Sequence, residues 1–236
     1  MHARSLRRPF TDVRGHAVLT TALRSSPFVL DLGANRGEFS RTMNSAFGGT
    51  YLLVEANPEL ISLMSSEYDV VHCAVAAQSG TVRLNVARND EGSSILTLPD
   101  VSPWDCVSTG SVDIPALTLD DILARWGPGA VDLVKMDIEG AEVAVLSTVA
   151  EATLRRIGQI SVEFHSAPEF GFDLARDVEA VLRRMRRIGF LSLDFSRGRR
   201  ENVLLINRRM LDVDHLDALA LRAWSVRLGR RPPWLS

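Results

Sequence analysis

Short apolar runs alternate along this chain with segments whose apolar residues recur at helical spacing. Residues 28–32, 51–55 and 70–75 are compact runs rich in Val, Leu, Phe and Tyr, and they predict buried strands. Between the first two, residues 35–47 place Phe39, Met43 and Phe47 four apart, which predicts an amphipathic helix. Pro58 marks the first turn of the next helix, the one helical position that proline favours. Residues 13–25 read as a short leading helix, and 81–86 alternate as a half-exposed strand. Residues 88–111 are rich in Asn, Asp, Gly, Ser and Pro and predict a long functional or mobile excursion. Residues 111–117 return as a strand. Thr118 with Asp121 then forms a capping box for a helix carrying Leu119, Ile122, Leu123 and Trp126. Regular alternation follows: a strand at 131–136, a helix at 139–150, a strand at 157–164 and a helix at 173–188. Residues 190–195 and 203–206 predict a final strand pair around a turn at 196–200, and 215–228 a tail helix.

This order predicts an α/β fold with a mostly parallel, doubly wound sheet and helices on both faces. There is no internal repeat. The expected organisation is one domain over 27–208, a helical extension at 1–26 and a helical tail at 209–236.

Composition removes several classes. A hydrophobic share of 46% provides a full core, and a net charge of -2 gives no general pull toward nucleic acid or anionic membrane. The two cysteines, Cys73 and Cys106, make neither a CxxC nor a zinc spacing. Arg4, Arg7 and Arg8 have no apolar stretch behind them, so no secretory signal is expected, nor is a membrane span. The expectation is a cytoplasmic protein of open oligomeric state.

Asp31-Leu32-Gly33-Ala34-Asn35-Arg36-Gly37 follows the first strand and opens a helix. Its glycines permit a tight turn and close approach of backbone to ligand. Such turns serve dinucleotides, phosphates and S-adenosylmethionine alike. Glu55 ends the second strand, where an acid is placed to accept from both hydroxyls of a ribose, and Asn57 follows it. The middle glycine of the dinucleotide pattern is missing, and Asp31 brings negative charge to the turn. Both features disfavour a pyrophosphate and suit a ligand with an ammonium and a cationic sulfur. A plain structural turn and a dinucleotide site remain the alternatives.

Lys135-Met136-Asp137-Ile138-Glu139-Gly140-Ala141-Glu142 is the densest polar cluster at any expected strand end. In open α/β sheets that end faces the ligand crevice. The next strand closes on Glu163-Phe164-His165, and a two-residue period puts Glu163 and His165 on one side. The chain resembles the FkbM-type methyltransferases in these blocks. It carries, in order, Asp31-x-Gly33-Ala34-Asn35-x-Gly37, Glu55-Ala56-Asn57-Pro58, Gly92-Ser93-Ser94, Leu117-Thr118-Leu119-Asp120-Asp121, the Lys135 to Glu142 block and Val162-Glu163-Phe164-His165. The resemblance spans about residues 27–193. It implies a Rossmann-like class I methyltransferase fold, S-adenosylmethionine as donor, and O-methylation of sugar or polyketide hydroxyls.

Within that expectation Asp31, Gly33, Asn35, Gly37, Glu55 and Asn57 bind the donor. His165 is the expected base, because an imidazole titrates near neutrality. Asp137 and Glu163 orient it, or hold Mg2+ or Mn2+ together with it. Lys135, the only lysine among 27 basic residues, is expected to pair with Asp137 or Glu139. Glu139 and Glu142 also fit the first turn of a helix, where acids are favoured by the dipole alone. Asn89, Asp90, Glu91, Ser93 and Ser94 with Trp104 make the excursion a candidate lid over a saccharide acceptor. An RNA acceptor would draw on nine arginines between Arg183 and Arg209, yet no aromatic interleaving accompanies them. A non-catalytic donor-binding module is the third reading.

Overall fold

The computed structural model describes residues 9–64, 66–87, 108–166 and 173–229. The chain opens on β1 (Phe10–Val13), β2 (His16–Leu19) and a 3-10 turn (Thr20–Ala22). Then come β3 (Phe28–Leu32), α1 (Glu38–Phe47), β4 (Thr50–Glu55), α2 (Pro58–Ile61), β5 (Asp69–His72) and β6 (Ala74–Val75). The middle of the chain supplies β7 (Gly80–Ala87), β8 (Ser108–Leu117), α3 (Leu119–Arg125), β9 (Val131–Met136) and α4 (Glu142–Thr148). The remainder is α5 (Glu151–Leu154), β10 (Ile157–Glu163), α6 (Ala175–Ile188), β11 (Phe190–Asp194), β12 (Asn202–Asn207) and α7 (His215–Gly229).

Seven strands form the main sheet in the order β11-β12-β10-β9-β3-β4-β5. From β10 through β5 all neighbours are parallel, and β12 runs antiparallel to both of its own. Strand order reverses beside β3: the chain goes first to β4 and β5, and later returns to β9 on the other side. That reversal opens a crevice past the carboxyl ends of β3 and β9. Alternate residues explain the two covered faces. Leu30, Leu32, Leu52 and Val54 pack with α3, α4 and α6. Val29, Tyr51 and Leu53 pack with Phe39 and Met43 of α1. The fold is therefore the doubly wound Rossmann-like arrangement expected. Among the described residues, no helix is long and apolar enough to cross a membrane.

Four local expectations are corrected. The expected leading helix is a hairpin instead. Arg14 and Gly15 both take positive φ (53° and 85°), the conformation of a two-residue hairpin turn, and Asp12 accepts from the Gly15 amide. The hairpin is tied to the sheet by Gln159, whose amide group donates to the Leu19 carbonyl and accepts from the Leu19 amide. Arg24 and the Phe28 amide converge on the buried Asp132. Burial would raise that carboxyl, but these partners hold it below its ordinary value. Phe10, Ala17 and Leu19 share a core with Leu204 and Ile206 of β12 and with Ala218 and Leu221 of α7, so both flanks pack on the central domain.

The expected strand at 70–75 divides. β5 stays on the main sheet, while β6 joins β8 and β7 in a second sheet. Helix α4 begins at Glu142 rather than Glu139, because Glu139 and Gly140 take positive φ (52° and 101°). The last correction concerns the arginines of α6. Arg183, Arg186 and Arg187 are exposed as expected, but Arg184 turns inward and donates to the carbonyls of Leu146 and Val149 at the end of α4. Of the expected excursion, residues 108–111 belong to β8, while 88–107, with Gly92-Ser93-Ser94, Trp104 and Cys106, lie outside the described residues, as do Arg4, Arg7 and Arg8.

Candidate functional site

The turn after β3 is shaped by a backbone collision that only glycine avoids. A Cβ on Gly33 would lie 1.8 Å from the Asp137 carbonyl oxygen, and φ there is +71°. The Asp137 amide in turn donates to the Leu32 carbonyl at 3.1 Å. The glycine turn and the exit of β9 are thus pressed into one unit. Gly37, also at positive φ (72°), caps the start of α1.

Glu55 ends β4 and is 7% exposed. Its carboxylate accepts from the amides of Asn35 (2.8 Å), Ala56 (2.9 Å) and Asn57 (2.7 Å). Burial pushes its carboxyl above the ordinary range even against these donors and Lys135. A cavity of about 600 Å³ opens beside it. Gly33, Ala34, Asn35 and Glu55 line the cavity, with Ala56, Cys73, Ala74 and Leu84 as apolar lining and His16, Asp137, Glu139 and Glu163 as polar lining. Burial pushes the Cys73 thiol up to about 11, so it remains a neutral packing group. A carboxylate for ribose hydroxyls beside an apolar slot for a purine fits S-adenosylmethionine.

Three residues expected at the donor do not line this cavity. Asp31 is fully buried, accepting from the Ser40 hydroxyl at 2.7 Å, with its other oxygen 3.5 Å from Lys135 Nζ. Asn57 caps α2 by accepting from the Glu59 amide. Gly37 does not line the cavity. Lys135 Nζ donates to the Gly33 carbonyl at 2.6 Å and lies 3.4 Å from Asp137. Burial works against its charge, but Asp31 and Asp137 hold its pKa above the ordinary value.

Asp137 is the hub. One oxygen faces Lys135 and His16 Nε2 (3.5 Å), the other His165 Nε2 (3.7 Å). Burial would raise its carboxyl; Lys135, His16 and His165 instead hold it well below the carboxylate range. Glu139 goes the other way. Burial, with Asp137, Glu142 and Glu163 nearby, pushes it up to about 8. Burial and Asp137 also raise Glu163.

His165 was expected as the base, yet both ring nitrogens face carboxylates. Nδ1 is 3.0 Å from Glu142 and Nε2 3.4 Å from Glu139. Burial opposes the charge, but Glu142, Glu139 and Asp137 outweigh it and push the ring up to about 10. At neutral pH that ring is an imidazolium, which cannot accept a proton. It also stands outside the cavity lining.

Sequence reasoning missed two residues. Glu142 is fully buried and accepts from the amides of Ile138 (2.9 Å) and Gly140 (3.1 Å) as well as facing His165. It sits in the first turn of α4 as expected, and from there it also clamps the loop after β9. His16 comes from the hairpin, is 3% exposed, and lines the cavity. The Asp12-Val13-Arg14-Gly15-His16 turn chemistry was the signal that could have found it.

The fold is that of a Rossmann-like α/β protein, with a cavity where its strand order reverses. Residues 31–191 match the model of the methyltransferase FkbM domain, and the chain belongs to that family of S-adenosylmethionine-dependent methyltransferases. Methyltransferase sdnD of Sordaria araneosa is 26% identical over 212 residues, covering 71% of this chain and 81% of that protein. Two solved structures show a weaker likeness. One is a putative methyltransferase in complex with the Trm112 methyltransferase activator of Haloferax volcanii (TM-score 0.38, 11% identity, 80% of this chain and 88% of that one). The other is a SAM dependent methyltransferase from Archaeoglobus fulgidus (TM-score 0.38, 12% identity, 89% and 83%).

The Glu55 assignment predicts a donor-binding defect. Hydrogen bonds to a charged group contribute roughly 1.5–3 kcal/mol. Glu55→Ala should therefore weaken S-adenosylmethionine binding about tenfold or more. Titration calorimetry on the folded variant checks this, and unchanged affinity would remove Glu55 from the donor site.

Proposed function

We propose that this methyltransferase methylates a hydroxyl oxygen, and that its acceptor is a saccharide or glycolipid. The observation that carries this reading is the acceptor wall: Asp137, Glu139 and Glu163 share one cavity with Gly33 and Glu55. An ionised Asp137 accepts hydrogen bonds, and the Glu139 carboxyl, pushed up to about 8, can donate one as well as accept, so the group suits the clustered hydroxyls of a polyol. An aromatic or macrolide acceptor would be served better by a larger apolar wall.

The donor, when bound, supplies a methyl group on a cationic sulfur. The protein's part is to align the acceptor oxygen and to remove its proton. Holding two reactants in line supplies much of the rate. Asp137 is kept ionised by Lys135 and the two imidazoles, so it is the resident group able to accept a hydrogen bond from the hydroxyl. The His165 imidazolium faces the carboxylates of Glu142 and Asp137 and offsets their charge. An RNA acceptor is less well supported: Glu179 pairs with Arg183, Arg186 and Arg200 and offsets part of that basic patch.

The test is a transfer screen with methyl-labelled donor against sugars, oligosaccharides, glycolipids, phenols and macrolides, each with and without Mg2+ or Mn2+. Label on a saccharide hydroxyl is the expected outcome. Label on an apolar phenol or macrolide, with sugars inert, would overturn the acceptor assignment. Label on nitrogen would overturn O-methylation itself.

A further inference from the structure

A cation was expected on Asp137, Glu163 and His165, but the fold distributes these side chains differently. Two groups of three bring one ligand atom per residue within 4.8 Å of one another: His16, Asp137 and Glu163, and Asp137, Glu139 and His165. Of the two imidazoles, only His16 lines the cavity. We propose that His16, Asp137 and Glu163 form a site for a divalent cation of the Mn2+ type at the acceptor wall.

The spacing suits an ion. At metal–ligand distances of about 2.1 Å, neighbouring ligands of an octahedron are roughly 3 Å apart and opposite ones roughly 4.2 Å. Atoms already within 4.8 Å need only a small contraction. The three ligands come from three separate strands: His16 from the start of β2 in the hairpin tied to β10 through Gln159, and Asp137 and Glu163 from just past the end of β9 and from the end of β10 in the main sheet. His16 is also supported as a metal-bound imidazole must be. Its Nδ1 lies 3.5 Å from the Ser161 hydroxyl, and its ring meets Phe39 edge-on at 5.7 Å. Its Nε2 is thereby left facing Asp137. Outer contacts of this kind set the tautomer and plane of a ligating histidine.

Charge points the same way. Five acidic side chains line the cavity, Glu38, Glu55, Asp137, Glu139 and Glu163, against Arg14, Arg36 and Lys135; Arg14 pairs with Glu38, and Lys135 is shared among Asp31, Asp137 and the Gly33 carbonyl. A dication would balance this excess. Two oxygens and one imidazole nitrogen favour Mn2+ over Mg2+, which prefers oxygen ligands and retains its waters. His165 is a poorer ligand, because its two nitrogens are taken up by Glu142 and Glu139. The hairpin that delivers His16 precedes the matched stretch 31–191, so the site draws on chain outside the family domain.

The experiment needs no acceptor and is independent of its identity. Chelator-stripped protein is titrated with Mn2+ alone, by calorimetry and by electron paramagnetic resonance of the free ion. The wild type should bind one Mn2+ per chain. His16→Ala and Glu163→Gln should each weaken binding about tenfold or more, whereas His165→Ala should change it by less than about threefold. Electron spin echo spectra should show coupling to an imidazole nitrogen in the wild type and in His165→Ala. That persistence tests the assignment even if His16→Ala does not fold. Absence of saturable Mn2+ binding in the wild type would overturn the proposal. Loss of affinity and nitrogen coupling in His165→Ala, with both retained in His16→Ala, would do so too, by moving the ion to the other group.

Discussion

Lys135→Met should destabilise the protein by about 3–5 kcal/mol, the cost of breaking a buried ion pair from one side. Methionine fills nearly the same space, so little cavity is made and the loss is electrostatic. Asp31 has no solvent exposure, and one of its oxygens has no hydrogen-bond partner while lying 3.5 Å from Nζ. Without the ammonium, the charges of Asp31 and Asp137 are left uncompensated beside each other, the Gly33 carbonyl loses the Lys135 donor, and the Leu32 carbonyl keeps the Asp137 amide. Urea unfolding at neutral pH measures the change, with the slope checked for altered compactness. Removing the charge on the other side as well, in Asp31→Asn combined with Lys135→Met, should recover part of the loss. A single-variant cost under about 1 kcal/mol would show that the pair is not the keystone of this crevice.

Gly33→Ala should cost about 2–6 kcal/mol and abolish donor binding. Two penalties combine: a non-glycine residue at positive φ costs of order 1–3 kcal/mol, and overpacking adds typically 1–3 kcal/mol. The 1.8 Å overlap is with a backbone oxygen, which no rotamer change relieves. Either β9 retreats from β3 or the turn opens, and both displace the donor wall from Asp137. Gly198→Ala is the control, because φ is also positive there (+91°) but nothing lies within 4 Å of the added atom. It should lose only about 1–2 kcal/mol and bind donor normally. Equal losses at the two glycines would mean that the contact with Asp137 is not what requires glycine at 33.

Much of the frame was legible along the chain, because its causes are local. Apolar runs and helical spacing act over windows of a few residues, and they marked β3, β4, β9, β10, α1, α3 and α6. The glycine turn and Glu55 were readable for the same reason: turn chemistry and strand-end position are properties of adjacent residues. The leading segment failed because its apolar residues also fit a helical stripe. A two-residue turn at Arg14-Gly15 and the distant side chain of Gln159 settled it as a hairpin.

The chemistry of the acceptor wall was decided by contacts between residues far apart in sequence. Asp31 meets Lys135 across paired strands, and Ser161 supports His16 over 145 positions of chain. Neither pairing has a signature in either segment alone. The protonation of His165 depends on Glu142 and Glu139, which reach it from another strand's loop. A sequence names which groups can ionise, whereas Coulomb energy and desolvation depend on distance and burial, which exist only once the chain is packed. The sequence by itself therefore determined the Rossmann-like frame and marked the glycine turn and Glu55 as the expected donor side. Only the tertiary structure decided that His165 is held charged by its neighbours and that His16 is the imidazole facing the cavity.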